Sequence, residues 1–438
     1  MLKTLINAFK NRDVRNKILI TLALLFIYRL GCWLPVPGIS GTVGDSAQNN
    51  TLLSLLASIT GGALSQGAIF AIGIAPYINA SIIVQLLSVA IPRLEKLTKQ
   101  GEEGRKKINV ITRVITLILA VAQSVGIVIN WANSGGLESQ LFGFADFPVW
   151  GVGVMVGFIL VGGSMLTMWL GERITEAGVG NGISLLIFVG IVSSAGLAII
   201  AQFQTAFSGG DDGQQALWVL LAFIILVLLI FFFITFVDLA ERKIPIQYAK
   251  QIKGRKQYGG QSTYIPIKVN ASGVMPIIFA SAILTFPQLL GQIFWSGTAF
   301  DLFWREYLGA GTAAYSVLLG LLILFFSYFY AQIQFNPEEV SRNIQQYGGF
   351  IPGIRPGKPT YEYLVRISKR ITLFGAIYLA IIAIVPNLVF SLIPFFDGTL
   401  LVNSMSATGM LIVVSVALEL EKQLESLIMM KQYKGFLK

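Results

Sequence analysis

Apolar residues fall along this chain in long blocks separated by short polar or charged stretches. A helix crossing about 30 Å of hydrocarbon needs about 20 mostly apolar residues. Runs of that kind lie near 18–35, 69–91, 109–130, 149–170, 183–203, 215–237, 272–295, 312–333, 371–394 and 402–418. The block from Leu220 to Phe236 carries no charge and one threonine. The first run contains Arg29, and the tenth is diluted by Ser404, Ser406, Thr408 and Gly409. The pattern predicts an all-α polytopic membrane protein with ten transmembrane helices.

The basic residues alternate between the connections. Lys3, Lys10, Arg12, Arg15 and Lys17 precede the first run, and 38–68 has none. Residues 92–108 hold Arg93, Lys96, Lys99, Arg105, Lys106 and Lys107, whereas 131–148 hold none. Arg173 follows the fourth run and no basic residue follows the fifth. The long connections 238–271 and 334–370 are basic, while the one between them has only Arg305 and the next has none. The tail adds Lys422, Lys431, Lys434 and Lys438. The positive-inside rule gives this alternation to ten spans with both termini cytoplasmic. Arg113 falls at the cytoplasmic start of its helix, which leaves Arg29 as the sole basic residue within a span. No cleavable signal peptide is expected, because the first apolar run leads into WLPVPG and not into a small-residue cleavage site.

The stretch 46–92 has no charge and is long enough for two helices. Two crossings would place the basic 93–107 connection outside, so parity demands one. The surplus, about 52–70, is built of small residues such as Ser58, Gly61, Gly62 and Ser65. Gly73 and Pro76 then punctuate the start of the span. Two readings stand: an outer loop with a surface helix, or a re-entrant element in a cavity, where non-helical backbone at membrane depth is tolerated.

Composition narrows the chemistry. Of 438 residues, 55% are hydrophobic and only 12% charged, and the mean hydropathy is +0.72, so lipid must solvate much of the surface. Histidine is absent and Cys32 is the one cysteine. That removes His-based metal sites, Ser-His and Cys-His nucleophile pairs and any internal disulfide. No Walker A sequence occurs; Gly357-Lys358 is followed by Pro359. The ten spans carry no interior Asp or Glu, which disfavours a proton- or sodium-driven carrier. What remains is a passive conduit, or a carrier powered by a gradient or a partner. The net charge, 32 − 22 = +10, is absorbed by topology for most residues.

Four stretches resemble SecY, the channel subunit of the bacterial protein-translocation complex. They are GIAPYINASIIVQLL (73–87), GVGNGISLLIF (178–188), IPIKVNASGVMPIIFASAI (265–283) and NPEEVSRNIQQYGGFIPGIRPGKPT (336–360). ERKIPIQYAKQ (241–251) and RLGCWLPVPGI (29–39) fit as well, and the likeness runs through the chain in order. It implies two five-helix halves, 1–210 and 211–438, in inverted pseudo-symmetry around an hourglass pore. By motif match the constriction would be Ile74, Ile78, Ile183, Ile187, Ile278 and Ile412. The pairs 74/78 and 183/187 are each i, i+4 and share a helix face. A narrow aliphatic ring dewets and blocks ions without a charged gate.

The resemblance further implies that the segment about 52–70 is a plug, with Ser58, Gly61, Gly62 and Ser65 letting it pack closely and leave at low cost. A lateral gate would open where spans two and three face seven and eight, with the amides of Gln85 and Asn270 as a polar latch against each other. The long cytoplasmic loops 238–271 and 334–370 would meet SecA or the ribosome through Lys250, Lys253, Arg255 and Lys256 and through Arg355. SecE, SecG, preprotein signal sequences and membrane lipid complete the partners, in the bacterial inner membrane. Neither covalent chemistry nor a metal or cofactor is expected. The runner-up is a gradient-driven small-solute secondary transporter.

Overall fold

The computed structural model describes residues 9–39, 60–133, 135–137, 148–207, 211–248, 251–253, 256–258, 262–270, 272–294, 298–309, 312–392 and 407–435. Helix α1 is Arg12–Trp33, capped by Asn11, whose side chain accepts from the Asp13 N–H, and it ends before Pro35. Helix α2, Ala75–Ala90, starts with Pro76 in its first turn, where no N–H is needed. It stops before Pro92, and the chain bends by 106° into α3, Pro92–Lys99. Helix α4 is Glu102–Asn133, with two glutamates at its positive end. Helices α5, Val149–Ala177, α6, Gly182–Phe207, and α7, Asp211–Asp238, follow.

The second half continues with α8, Met275–Phe294, which contains Pro287, and the short α9, Ala299–Tyr307. Helix α10, Ala313–Gln334, is capped by Thr312, and α11, Pro337–Gln346, by Asn336. Helices α12, Lys358–Leu392, and α13, Ala407–Gly435, close the chain. Among the described residues a helix overlaps each of the ten apolar runs. Among the described residues, seven helical stretches are each long and apolar enough to cross a membrane, and the bent α2–α3 pair makes an eighth if it is one span. Helix α8 presents only a shorter apolar run, Met275–Thr285, before Pro287.

The long helices bury one stripe and leave an apolar one exposed. Phe158 on α5 is 76% exposed whereas Leu160, two residues on, is fully buried; Phe232 and Ile234 on α7 repeat the contrast. Residues two apart lie on opposite sides of a helix, so one side meets protein and the other needs an apolar solvent. Small residues set the closest approaches, as lipid-phase packing requires. A Cβ on Gly163 of α5 would run into the backbone of Ile69.

The two long basic connections depart from an all-helical chain. The described residues of the first form strands β1, Glu241–Tyr248, β2, Gln251–Lys253, β3, Lys256–Tyr258, and β4, Ser262–Lys268. Strand β5, Gly349–Phe350, joins them from the other long connection. Antiparallel pairing gives a sheet of order β4-β1-β5 and a separate β2-β3 hairpin. The signal was a short alternation, Ile244 and Ile246 buried between exposed neighbours, which the surrounding charges hide. Those two residues pack with Ile267, Ile344, Ile351 and Leu364, so the two basic loops form one body with its own core.

Candidate functional site

All six motif isoleucines fall in one region of the fold. Ile74 caps α2, Ile78 lies on it, Ile183 and Ile187 lie on α6, Ile278 on α8 and Ile412 on α13, and they belong to one apolar cluster. Ala63, Ala68 and Phe70 share that cluster. The glycines 171 and 182 let α5 and α6 close on it; a Cβ on Gly171 would stand 3.3 Å from the Ile183 side chain.

Residues 60–74 are a mostly buried run of turns with Gln66 exposed, and 52–59 lie outside the described residues. Ala63 and Ala68 are fully buried and Thr60 nearly so. Backbone satisfaction comes from the chain just beyond α1: Val36 N–H donates to the Gly67 carbonyl at 2.9 Å and Ile69 N–H to the Leu34 carbonyl at 3.0 Å. Ser164 of α5 donates its hydroxyl to the Gly73 carbonyl at 3.1 Å. Gly61, Gly62, Gly67 and Gly73 all have positive φ, a backbone that only glycine adopts freely. Tyr28 stacks on Phe70, 5.8 Å between ring centres. Ser65 is half-buried in the same run, and Ser58 lies outside the described residues.

The expected Gln85–Asn270 latch is not made. Gln85 on α2 accepts from the Tyr330 hydroxyl of α10 at 2.9 Å. Asn270, just before α8, donates instead to Asp238 Oδ1 at 2.8 Å. The reason is position: Asp238 ends α7 beside Asn270 and also accepts from the Ser415 hydroxyl of α13 at 2.6 Å, and an ionised acceptor outcompetes an amide. Tyr330 in turn packs at a tilt against Phe279 of α8, 4.8 Å between ring centres. Sequence reasoning missed both Tyr330 and Asp238. An aspartate closing a span that is otherwise uncharged was the available signal for the second.

On the body built by the two basic connections, Arg355 is exposed between Gly353 and Gly357, which have φ of +83° and +96°. Thr360 fixes its backbone by donating to the Arg355 carbonyl at 2.8 Å. Arg355, Gln345, Phe350 and Ile354 line a groove of about 550 Å³. Lys253 and Lys256 are register partners across the β2-β3 hairpin; Lys250 and Arg255 lie outside the described residues. Lys268, at the end of β4, has its pKa lowered by partial desolvation and by Lys422 beside it. No group of three or more acidic, cysteine or histidine side chains that could hold a metal occurs among the described residues.

Comparison with known proteins gives one consistent answer. The family model SecY matches residues 68–420. The chain is 44% identical to the protein translocase subunit SecY of Streptomyces coelicolor and 41% identical to that of Mycobacterium bovis, each over the whole of both chains. Among solved structures, a protein-conducting channel superposes with TM-score 0.68 at 19% identity, covering 94% of this chain and 92% of that one. Sec61 in the canine ribosome-channel complex gives 0.65 at 17% identity, with the same coverage of each chain.

Replacing Asp238 by alanine strands the Asn270 amide and the Ser415 hydroxyl at a junction of three helices. Loss of hydrogen bonds to a charged group costs about 2–3 kcal/mol. The thermal midpoint of the detergent-solubilised Asp238→Ala protein is expected to fall by several degrees, with Ser415→Ala falling less. An unchanged midpoint in Asp238→Ala would show that the junction holds without it.

Proposed function

The chain belongs to the SecY family, and we propose that it passes unfolded preproteins through an apolar waist and releases membrane segments sideways into lipid. It is a multi-pass membrane protein and a protein-translocation channel, not a small-solute carrier. The observation that carries the mechanism is the convergence of the six isoleucines from four helical elements, with residues 60–74 lodged against them. An aliphatic constriction offers ions no substitute for their hydration and stays dry at rest. It also makes no specific hydrogen bonds, so side chains of many kinds slide past it.

In this reading the chain crosses the membrane ten times, with both termini cytoplasmic and the halves meeting at 210/211. Alternation of the basic residues supports the count and the orientation. Residues 60–70 are the described part of the plug, about 52–70, seated on the outer side of the waist. Side exit takes place where α8 packs on α2 and α4. The closing contact there is Gln85 with Tyr330, which ties α2 to α10. An interhelical bond of this kind is worth about 1 kcal/mol, weak enough for an entering signal helix to displace.

Having no visible means of using ATP, the channel takes its driving energy from SecA or from ribosomal synthesis. The exposed Arg355 on its rigid turn and the lysines of the β2-β3 hairpin are the contacts for those partners. Solved relatives bound to ribosomes support the second source. SecE and SecG complete the complex. Similarity to bacterial relatives along the whole chain supports a location in the inner membrane.

Vesicles containing the reconstituted complex test this directly: preprotein import that depends on SecA and ATP is expected. Arg355→Glu is expected to abolish import while the protein still inserts and assembles; normal import in that variant would remove Arg355 from the motor contact. Tyr330→Phe loses the Gln85 bond and is expected to raise import of a preprotein with a weakened signal segment roughly fivefold. Unchanged selectivity would mean the bond does not close the gate. Deleting 58–66 is expected to raise resting ion conductance, and a tight deletion channel would remove the plug role from this segment.

A further inference from the structure

Arg29 is the one basic side chain inside an apolar span, and neither the waist nor the gate uses it. It lies on α1 four residues before Trp33, about 6 Å below the outer end of the helix at 1.5 Å per residue. A charge at that depth is costly and marks function by default. Its guanidinium reaches two other elements. Nη1 donates to the Gly61 carbonyl at 3.3 Å, and Nη2 donates to the hydroxyl of Ser193 on α6. Both acceptors are neutral.

The cradle around this contact fits glycine alone. Gly61 has φ +69°. A Cβ there would collide with the guanidinium and approach the Gly190 carbonyl oxygen of α6 to 3.1 Å. Ser193 lies six residues beyond Ile187 on α6, about 9 Å further outward. The guanidinium therefore joins α1, the first described turn of segment 60–74 and α6 on the outer side of the isoleucine cluster.

We propose that Arg29 is the latch of the plug. It ties Gly61 to α1 and α6 in the shut channel, and opening exchanges that carbonyl for water. The assignment rests on residues 60–70 being part of the plug. Hydrogen bonds from an ionised donor are strong where water is excluded. Once the waist wets, water solvates the guanidinium and the same bonds lose their hold. The latch is thus firm only while the channel is dry, which makes shutting and opening two distinct states. Lysine keeps the charge but lacks the planar fork that meets two acceptors together.

Resting conductance of the purified full-length chain in planar bilayers tests the latch, with the 58–66 deletion measured alongside. Arg29→Leu is expected to raise resting conductance roughly tenfold or more, the loss of a bond from a charged donor. Arg29→Lys is expected to fall between it and the unaltered chain, and Ser193→Ala to leak less than Arg29→Leu. Combining Arg29→Leu with the deletion should leak no more than the deletion alone. A tight Arg29→Leu channel beside a leaky deletion overturns the latch and leaves the plug standing. A double variant leakier than the deletion also overturns it, since Arg29 would then act on the pore itself. A tight deletion channel removes the plug reading and the latch with it. If Arg29→Leu fails to fold, Arg29→Lys and Ser193→Ala carry the test, and both remaining tight overturns the latch.

Discussion

Water does not readily fill an aliphatic constriction, and the rest of this channel answers to that fact. A dry waist needs no charged gate, which fits a chain with no histidine and no interior carboxylate in its apolar spans. It needs instead several helices delivering branched aliphatic side chains to one place. The caps and close approaches of α2, α6, α8 and α13 do so. The isoleucine side chains have no hydrogen-bonding groups of their own, and directional contacts are made elsewhere: Tyr330 with Gln85 between helices, Asp238 with Asn270 and Ser415, and the backbone of 60–74 with residues 34–36.

In the proposed reading, segment 60–74 is irregular backbone held at membrane depth. Every unmet N–H or C=O there is expensive, so the segment borrows partners from residues 34–36 and from Ser164. Those partners are few and come from distinct elements, so the segment is held at discrete points and not along a continuous helix. Such a connection can be released by breaking a small number of bonds, which suits a part that must leave its seat without unfolding its neighbours.

The helices were legible because membrane spans obey a length rule and a charge rule that both read directly from sequence. The bend at Ile91 was written as Pro92, and the start of α2 as Pro76. Other features were not legible. Strands β1 and β4 carry too brief an alternation to stand out among lysines and arginines. Asn270 paired with Asp238 and not with Gln85, because spacing along the chain says nothing about which polar groups the folded helices bring level. Tyr330 read as one more aromatic in an apolar run, and its hydroxyl gains meaning only opposite Gln85. Arg29 was visible as an anomaly, but its acceptors, a backbone carbonyl and a serine, carry no sequence signature.

The central claim is that the isoleucine cluster encloses the path of the translocating chain. With the buried native Cys32 replaced, single cysteines at 78, 187 and 278 offer the most direct test, by crosslinking to a cysteine in a preprotein stalled in transit. The account predicts crosslinks from all three positions, and none from an outward-facing control such as position 158. Crosslinks absent at the three isoleucine positions, with the stalled chain captured elsewhere on the molecule, would contradict it.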